Sequence, residues 1–265
     1  MRVLALAAAT LALASPASFL QGRQAADGGF SEPGGTATPG LTAWAAIGLA
    51  AAGAPTGKAH EFLVAHESAL TSATDVELAV VAEAVTGGAS PALLARLRAL
   101  VQPSGRIGPA LNSTIWGILA LRQAGGDAPA ASIRYLAAHQ GRSGGFAWVE
   151  GGAPDSNTTA AAVEALGRGA AATRALVYLR RLQGRDGGFA LSSGRASDAQ
   201  STAWAIQAFL AAGLKPPHGA TAYLTRLKRP DGSYRYSSAY ATTPVWVTAQ
   251  VLPALAGRPL PLRAG

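Results

Sequence analysis

A repeated turn is the sequence feature that most constrains what this chain can fold into. The turn Asp-Gly-Gly-Phe at 186–189 follows a helical stretch that ends in Gln183, and a polar loop and a second helix come after it. Its aromatic residue recurs at intervals of 43 and 45 residues, at Phe146, Phe189 and Tyr234. This period predicts one helical hairpin per unit, whose apolar face is buried only when neighbouring units stack.

Six such units can be followed along the chain, although the second lacks the turn. Hydrophobic residues make up 49% of the 265 residues and are mostly Ala and Leu, while strand-forming residues are scarce. The sequence therefore predicts an all-α fold, a single domain of about six helical hairpins over residues 18–257 with a non-helical tail over 258–265.

The acidic residue of the turn has a structural explanation. An Asp in a tight turn accepts hydrogen bonds from the backbone, two glycines allow positive φ, and the aromatic side chain returns to the core. We therefore expect Asp27, Asp186 and Asp231 to be structural. Glycines that follow the second helices are expected to end them: Gly53, Gly125, Gly167 and Gly213.

The charge balance suggests a nucleic-acid partner only at first sight. The net charge is +8, from 19 Arg and 3 Lys against 14 acidic residues. The arginines are scattered one or two per helix, with no basic run interleaved with aromatics, so we predict a solvated basic surface and no nucleic-acid partner. The absence of Cys excludes disulfides, thiolate nucleophiles and cysteine-bearing zinc sites.

The N-terminus resembles a secretory signal peptide. A basic Arg2 precedes an apolar run over Val3–Ala14, and small residues follow at 15–17. We predict a signal peptide over residues 1–17, a secreted or extracytoplasmic protein, and no transmembrane segment after its removal. The alternative is that this stretch is the first helix of the array, because Phe19-Leu20-Gln21 can be matched to the helix that ends in Gln183.

A helix ending in Gln, a DGGF-like turn and a helix that begins Ser201-Thr202-Ala203-Trp204 together resemble the prenyltransferase and squalene-cyclase repeat, the QW motif. Four units match well, anchored on Phe30, Phe146, Phe189 and Tyr234. The resemblance implies an α/α toroid, in which six outer and six inner helices surround a central, largely apolar cavity. The first helix of each pair would be outer and the second inner.

The resemblance also implies where catalysis should be sought. Triterpene cyclases of this family carry their proton-donating acid in a D-x-D-D-T-A segment at the start of an inner helix, and the nearest match here begins at Asp155 and ends at Ala160. The position of the central acid is Asn157, and an amide cannot protonate an alkene. Asp155 is left as the candidate catalytic acid.

Other chemistries of similar folds fit less well. The zinc site of protein prenyltransferases cannot be mapped, because there is no Cys and the four histidines are dispersed, so we predict no metal and no cofactor. A glycosidase needs two carboxyls across a cleft, and Asp155 and Asp198 occupy matching loop positions in adjacent units. Capping of the helices that follow is the preferred interpretation of both residues.

The remaining candidates for a functional site are aromatic and amide side chains. Trp44, Trp116, Trp204 and Trp246 occupy the same place in four units. Asn112 and Gln200 precede a Trp by four residues, as Asn157 precedes Ala161, which places each pair on one helical face. These Trp could line the cavity or pack between repeats as core, and the core is slightly preferred. The candidate ligand-binding residues are Trp44, Asn112, Trp116, Asn157, Gln200, Trp204 and Trp246.

The functional prediction drawn from these residues is a secreted, non-catalytic toroid that binds a hydrophobic or corrinoid-like small molecule or a partner protein. Cobalamin carriers of the transcobalamin type use a similar toroid, but with a β domain that this chain lacks. One alternative is a terpenoid cyclase or prenyltransferase type of enzyme that acts on an isoprenoid, with Asp155 as its acid. A second alternative is a structural interaction scaffold with a filled core.

Overall fold

The structure is a computed structural model that describes residues 14–262. Its helices come in six consecutive pairs: α1 Pro16–Gln21 and α2 Pro39–Ala51; α3 Ala59–Ala65 and α4 Ala73–Thr86; α5 Pro91–Ala99 and α6 Leu111–Gln123; α7 Ala130–Ala138 and α8 Ser156–Leu166; α9 Ala170–Arg180 and α10 Ala199–Ala211; α11 Ala220–Leu227 and α12 Pro244–Leu255. A short 3-10 helix over Glu67–Ala69 follows α3. Two antiparallel ribbons join β1 Phe146–Ala147 to β2 Pro154–Asp155, and β3 Phe189–Ala190 to β4 Ser197–Asp198.

The second helix of each pair forms an inner ring. Helices α2, α4, α6, α8, α10 and α12 contact one another in that order, and α12 contacts α2 and closes the ring. The odd-numbered helices pack outside them, so the prediction of an all-α toroid is confirmed. The closure depends on a close approach, because a Cβ added at Gly48 of α2 would lie 2.5 Å from the carbonyl oxygen of Ala249 in α12.

The repeated turn has the predicted chemistry. In the fifth unit, the Asp186 carboxylate accepts a hydrogen bond from the Gly188 N–H at 3.1 Å, and Gly187 has a φ of +84°. The backbone N–H of the buried Phe189 donates to the Thr202 hydroxyl of the inner helix at 2.8 Å. Four other units repeat this bond, from Phe30 to Thr42, Ile107 to Thr114, Phe146 to Thr159 and Tyr234 to Thr248. The turn thus ties each loop to its own inner helix.

The repeated glutamine links neighbouring units. The Gln183 amide donates to the carbonyl of Gly187 in its own turn and to that of His218, just before the next outer helix. In the first unit the same two bonds, to Gly28 and Thr56, are made by Gln24. Matching Gln21 to Gln183 was therefore wrong, because Gln21 bonds only the Pro55 carbonyl and lies one turn too early.

The two ends of the chain are only partly described. The predicted signal peptide over residues 1–17 falls mostly on residues 1–13, which lie outside the described residues, and α1 already begins at Pro16. Of the predicted tail, residues 258–262 pack against the C-terminal halves of inner helices: Leu260 N–H donates to Glu164 and Leu262 N–H to Gln123. Within 14–262, no helix has the length and apolar character needed to cross a membrane.

Candidate active site

A cavity of about 450 Å³ lies inside the ring, within the N-terminal halves of the inner helices. All six inner helices contribute to its wall, together with Trp148 and Leu191 from the loops that follow β1 and β3. The structure brings every candidate site residue of the sequence to this one wall: Trp44, Asn112, Trp116, Asp155, Asn157, Gln200, Trp204 and Trp246. The side chains of Asn112, Asn157 and Gln200 lie one helical turn closer to the helix N-termini than the indoles of Trp44, Trp116 and Trp204.

The prediction that Trp246 occupies the same place as the other three Trp is wrong. Each turn bonds a Thr of its inner helix, and the three other Trp follow that Thr by two residues, whereas Trp246 precedes Thr248 by two and so takes the place of the amides.

Three of the indoles form a compact cluster, the tryptophan triad of Trp44, Trp116 and Trp204. Their ring centroids are 5.4, 5.8 and 6.0 Å apart, and the ring planes meet at 84° to 89°. Such edge-to-face packing is favourable because the positive edge of one ring meets the negative face of the next. The alternatives of core packing and cavity lining are therefore both realised, since the same three rings pack on one another and line the cavity.

Gln250 is an amide on the cavity wall that sequence reasoning missed. The Gln250 side-chain oxygen accepts hydrogen bonds from the Trp204 indole N–H at 2.8 Å and from the Gln200 amide at 2.9 Å. Because only the oxygen of an amide can accept, these two donors fix the orientation of the Gln250 amide, with its oxygen towards Trp204 and Gln200. Gln250 follows Thr248 by two residues, the place that Trp has in three other units, and alignment of the units on this Thr could have found it.

Two amide nitrogens on this wall have no hydrogen-bond partner among the described residues. They belong to Gln250 and Asn112, whose side chains are each 2% exposed. Buried amide groups are normally paired, and leaving one unpaired costs about 1–3 kcal/mol. The unpaired donors therefore indicate a place where an acceptor from a ligand would be favourable.

Asp155 is the only ionisable side chain among the described residues that line the cavity. It is the N-cap of α8: one carboxylate oxygen accepts the Thr158 N–H at 2.8 Å and the other accepts the Thr158 hydroxyl at 2.7 Å. Asp155 therefore both caps α8 and lines the cavity. Asn157, two residues later, accepts a hydrogen bond from the Ser156 hydroxyl at 3.1 Å.

Asp198 does not join Asp155 at the cavity. It is buried as the N-cap of α10 and accepts bonds from the Ser201 N–H at 2.7 Å and the Ser201 hydroxyl at 2.9 Å. Burial raises the pKa of the Asp198 carboxyl, while the hydrogen bonds from Ser201 lower it. The structure therefore brings only one of the two acids of the considered glycosidase pair to the cavity.

Buried carboxyls also occur away from the cavity. Glu77 in α4 is fully buried, neither of its carboxyl oxygens has a partner among the described residues, and burial raises its pKa to about 10. Burial likewise raises the pKa of Glu83 to about 7 and that of Glu164 well above its ordinary value. Glu77 does not line the cavity, so its place is in the folding energetics rather than in ligand contact.

Comparison with solved structures identifies proteins with the same fold. The type II terpene cyclase MstE from Scytonema, in complex with its substrate geranylgeranyl dihydroxybenzoate, aligns with a TM-score of 0.67 and 16% identity over 91% of this chain and 95% of that one. The ent-copalyl diphosphate synthase from Streptomyces platensis aligns with a TM-score of 0.58 and 19% identity over 83% of this chain and 50% of that one.

A glycosidase in complex with glucose also aligns, with a TM-score of 0.62 and 13% identity over 91% of this chain and 94% of that one. No protein-family model matches the sequence, and no curated protein matches it. The chain therefore has the α/α-toroid fold that these terpene cyclases and the glycosidase share, as the repeat predicts. The fold alone does not determine which reaction a protein catalyses; that depends on the residues of the cavity.

The prediction of a non-catalytic carrier is contradicted by this comparison. The proteins that share the fold over nearly their whole length include a catalytic type II terpene cyclase solved with substrate and with product. The prediction gave too much weight to the amide at Asn157, although the acid two residues earlier, Asp155, lies on the cavity wall. Neither the cavity nor the similar structures support a corrinoid ligand or a partner protein.

Proposed function

We propose that this toroid is a terpenoid cyclase type of enzyme, which binds an isoprenoid in the central cavity and cyclises it after protonation by Asp155. The observation that carries the proposal is the position of a single carboxyl on a wall otherwise made of indole, aliphatic, hydroxyl and amide groups. A cavity of about 450 Å³ is of ordinary size for a small-molecule site, since such sites measure roughly 300–1,000 Å³.

The proposed reaction needs no external reagent. The protonated Asp155 carboxyl donates its proton to one carbon of an alkene, the π electrons form the new C–H bond, and the neighbouring carbon becomes a cation. A second double bond attacks that cation and closes a ring. Water then takes a proton from a carbon beside the final cation, and the C–H electrons form a new double bond. Solvent returns a proton to Asp155, so the product is an isomer of the substrate.

Two features of the wall around Asp155 suit the two charged species that the proton transfer creates, the carboxylate and the carbocation. The two hydrogen bonds from Thr158 stabilise the carboxylate that remains once the proton has left. The π faces of the tryptophan triad can stabilise a carbocation, with an attraction of about 0.5–2 kcal/mol per favourable contact. A glycosidase is disfavoured because both of its mechanisms need two carboxyls at the scissile bond, and only Asp155 lines the cavity.

The test is a search for isomerised product. The protein is incubated with polyprenyl substrates of several chain lengths, and the extracts are analysed by gas chromatography with mass spectrometry. We expect a cyclic product of unchanged mass with the wild type and none with Asp155→Asn, while Asp127→Asn in an exposed loop leaves the yield unchanged. Product formation by Asp155→Asn would contradict the role of Asp155, and absence of product with every chain length would contradict the function.

A further inference from the structure

We infer that the head group of the substrate is uncharged, such as an alcohol or a phenol, and that prenyl diphosphates are excluded from this cavity. The inference rests on the proposed function, because it assumes that an isoprenoid occupies the cavity. Three observations carry it: the charges on the wall, the state of the inner-helix N-termini around the mouth, and the two unpaired amide donors.

The wall offers no positive charge to a diphosphate. None of the described residues that line the cavity is Lys, Arg or His, although the whole chain has a net charge of +8. The one ionisable group on the wall is the Asp155 carboxyl, which offers an anion no counter-charge in either of its protonation states, neutral or negative. A ligand that carries two or three negative charges would therefore lose its hydration without gaining a counter-charge.

Helix N-termini could replace cations, because their free N–H groups and dipoles attract phosphate. In four of the six inner helices, however, side-chain carboxylates already take these N–H groups. Asp155 caps α8, Asp198 caps α10, and Asp75 lies in the first turn of α4 in a capping box with Ser72. At α12, Glu32 accepts the N–H groups of both Val245 and Trp246, at 3.0 and 2.8 Å.

The last two N-termini are also capped, by neutral oxygens. The Thr38 hydroxyl accepts the Leu41 N–H of α2, and the Trp148 carbonyl accepts the Asn112 N–H of α6 at 3.0 Å. At each of the six N-termini around the mouth at least one N–H group thus already has an acceptor, and at four of them a carboxylate lies there. A phosphate would find repulsion there in place of the usual anion site.

The unpaired amide donors of Gln250 and Asn112 are suited to hydrogen-bond an uncharged head group. Gln250 and Asn112 each keep one amide nitrogen without a partner, and the donors Trp204 and Gln200 hold the Gln250 oxygen so that its nitrogen cannot exchange places with it. A hydroxyl or ether oxygen can accept from such donors without a charge to desolvate. The same donors are too few to compensate a buried diphosphate.

The inference is tested by binding, which does not depend on turnover. Dissociation constants are measured from the quenching of tryptophan fluorescence with geranylgeraniol and with geranylgeranyl diphosphate, the latter with and without magnesium ions. We expect the alcohol to bind at least about tenfold more tightly at equal chain length. Asn112→Leu should weaken alcohol binding about tenfold, the loss of one hydrogen bond to the ligand. Gln123→Leu changes an amide at the opposite end of the same helix, away from the cavity wall, and should leave it unchanged.

A gain-of-function variant sharpens the test. Thr74 lies on the wall in the first turn of α4, and Thr74→Lys would place a cation at the mouth. This variant should bind the diphosphate more tightly than the wild type does and the alcohol no better. Diphosphate that binds the wild type as tightly as the alcohol would overturn the inference, and so would a protein that binds neither ligand.

Failure of the proposed function has a different signature. If the alcohol binds more tightly than the diphosphate but is never converted, the inference stands and the cyclase function fails. If the diphosphate is converted and the alcohol is not, the cyclase function stands and the inference fails.

Discussion

The indole N–H of Trp204 donates to the side-chain oxygen of Gln250 at 2.8 Å, joining α10 to α12 across the cavity wall. The bond is buried, and it fixes both one ring of the tryptophan triad and the amide that faces it. Gln250→Met keeps the volume but leaves the indole N–H unpaired, so we expect a loss of about 1–3 kcal/mol in the free energy of unfolding. Urea denaturation measures it, with Gln21→Met at an exposed position as the control; equal values for both variants would contradict this role.

The two roles of Asp155 can be separated by substitution. Asparagine caps a helix about as well as aspartate, whereas alanine costs about 0.5–2 kcal/mol, so Asp155→Asn should retain the wild-type unfolding free energy and Asp155→Ala should not. Both variants remove the acid, and both should abolish cyclised product. Product yield that followed stability, high in Asp155→Asn and low in Asp155→Ala, would mean that Asp155 is only a helix cap.

Closure of the ring depends on Gly48. A Cβ there would lie 2.5 Å from the Ala249 carbonyl oxygen, so Gly48→Ala must push α2 away from α12, and overpacking of this kind costs about 1–3 kcal/mol. Gly40, in the same helix, has no atom within 4 Å of the Cβ it would gain, and Gly40→Ala is the matched control. Thermal unfolding should show a lower midpoint for Gly48→Ala alone. An unchanged midpoint would show that the ring tolerates a wider α2–α12 spacing.

The buried Glu77 should make the protein less stable at alkaline pH. Its pKa is raised to about 10 in the folded state, so above its lower unfolded-state pKa the folded chain binds more protons than the unfolded chain. The free energy of unfolding then falls with rising pH, by up to about 1.4 kcal/mol per pH unit from this group, until the pH passes the folded pKa.

Glu77→Gln should remove that part of the slope, because an amide has no proton to lose. Urea denaturation at pH 6, 7.5 and 9 compares it with the wild type and with Glu61→Gln, an exposed carboxyl on α3. The Glu61→Gln slope should match the wild type. A Glu77→Gln slope that also matches it would contradict the buried, protonated state of Glu77.

If the chain is secreted through its predicted signal peptide, the structure restricts where cleavage can occur. The Ser15 side chain caps α1 by accepting the Ser18 N–H at 3.0 Å, and the Ser15 carbonyl packs against Gly232 in the last turn. Removal of residues 1–17, the predicted signal peptide, would delete Ser15 and with it this contact between the first and last units, whereas cleavage on the N-terminal side of Ser15 would retain it. We expect N-terminal sequencing of the secreted protein to find its first residue no later than Ser15; a start at Ser18 would mean that this cap is dispensable.

Local chemistry is the part of this protein that the sequence determined by itself. The Asp186 turn, the burial of Phe189 and the shared face of Gln200 and Trp204 follow from residues close together in the chain, whose spacing alone sets their geometry. The repetition of those spacings was enough to predict six hairpins and, through the resemblance, the toroid. It also identified most of the cavity wall, because the same positions recur in each inner helix.

The tertiary structure alone decided which residues meet when the ring closes. Glu32 caps α12 from more than 200 residues away, and Gln250 joins Trp204 and Gln200 from the neighbouring inner helix. No spacing in the sequence encodes such contacts, because they depend on how the first and last units approach each other. The local caps at α4, α8 and α10 were within reach of sequence reasoning, whereas the carboxylate at the N-terminus of α12 comes from the long-range contact of Glu32 alone.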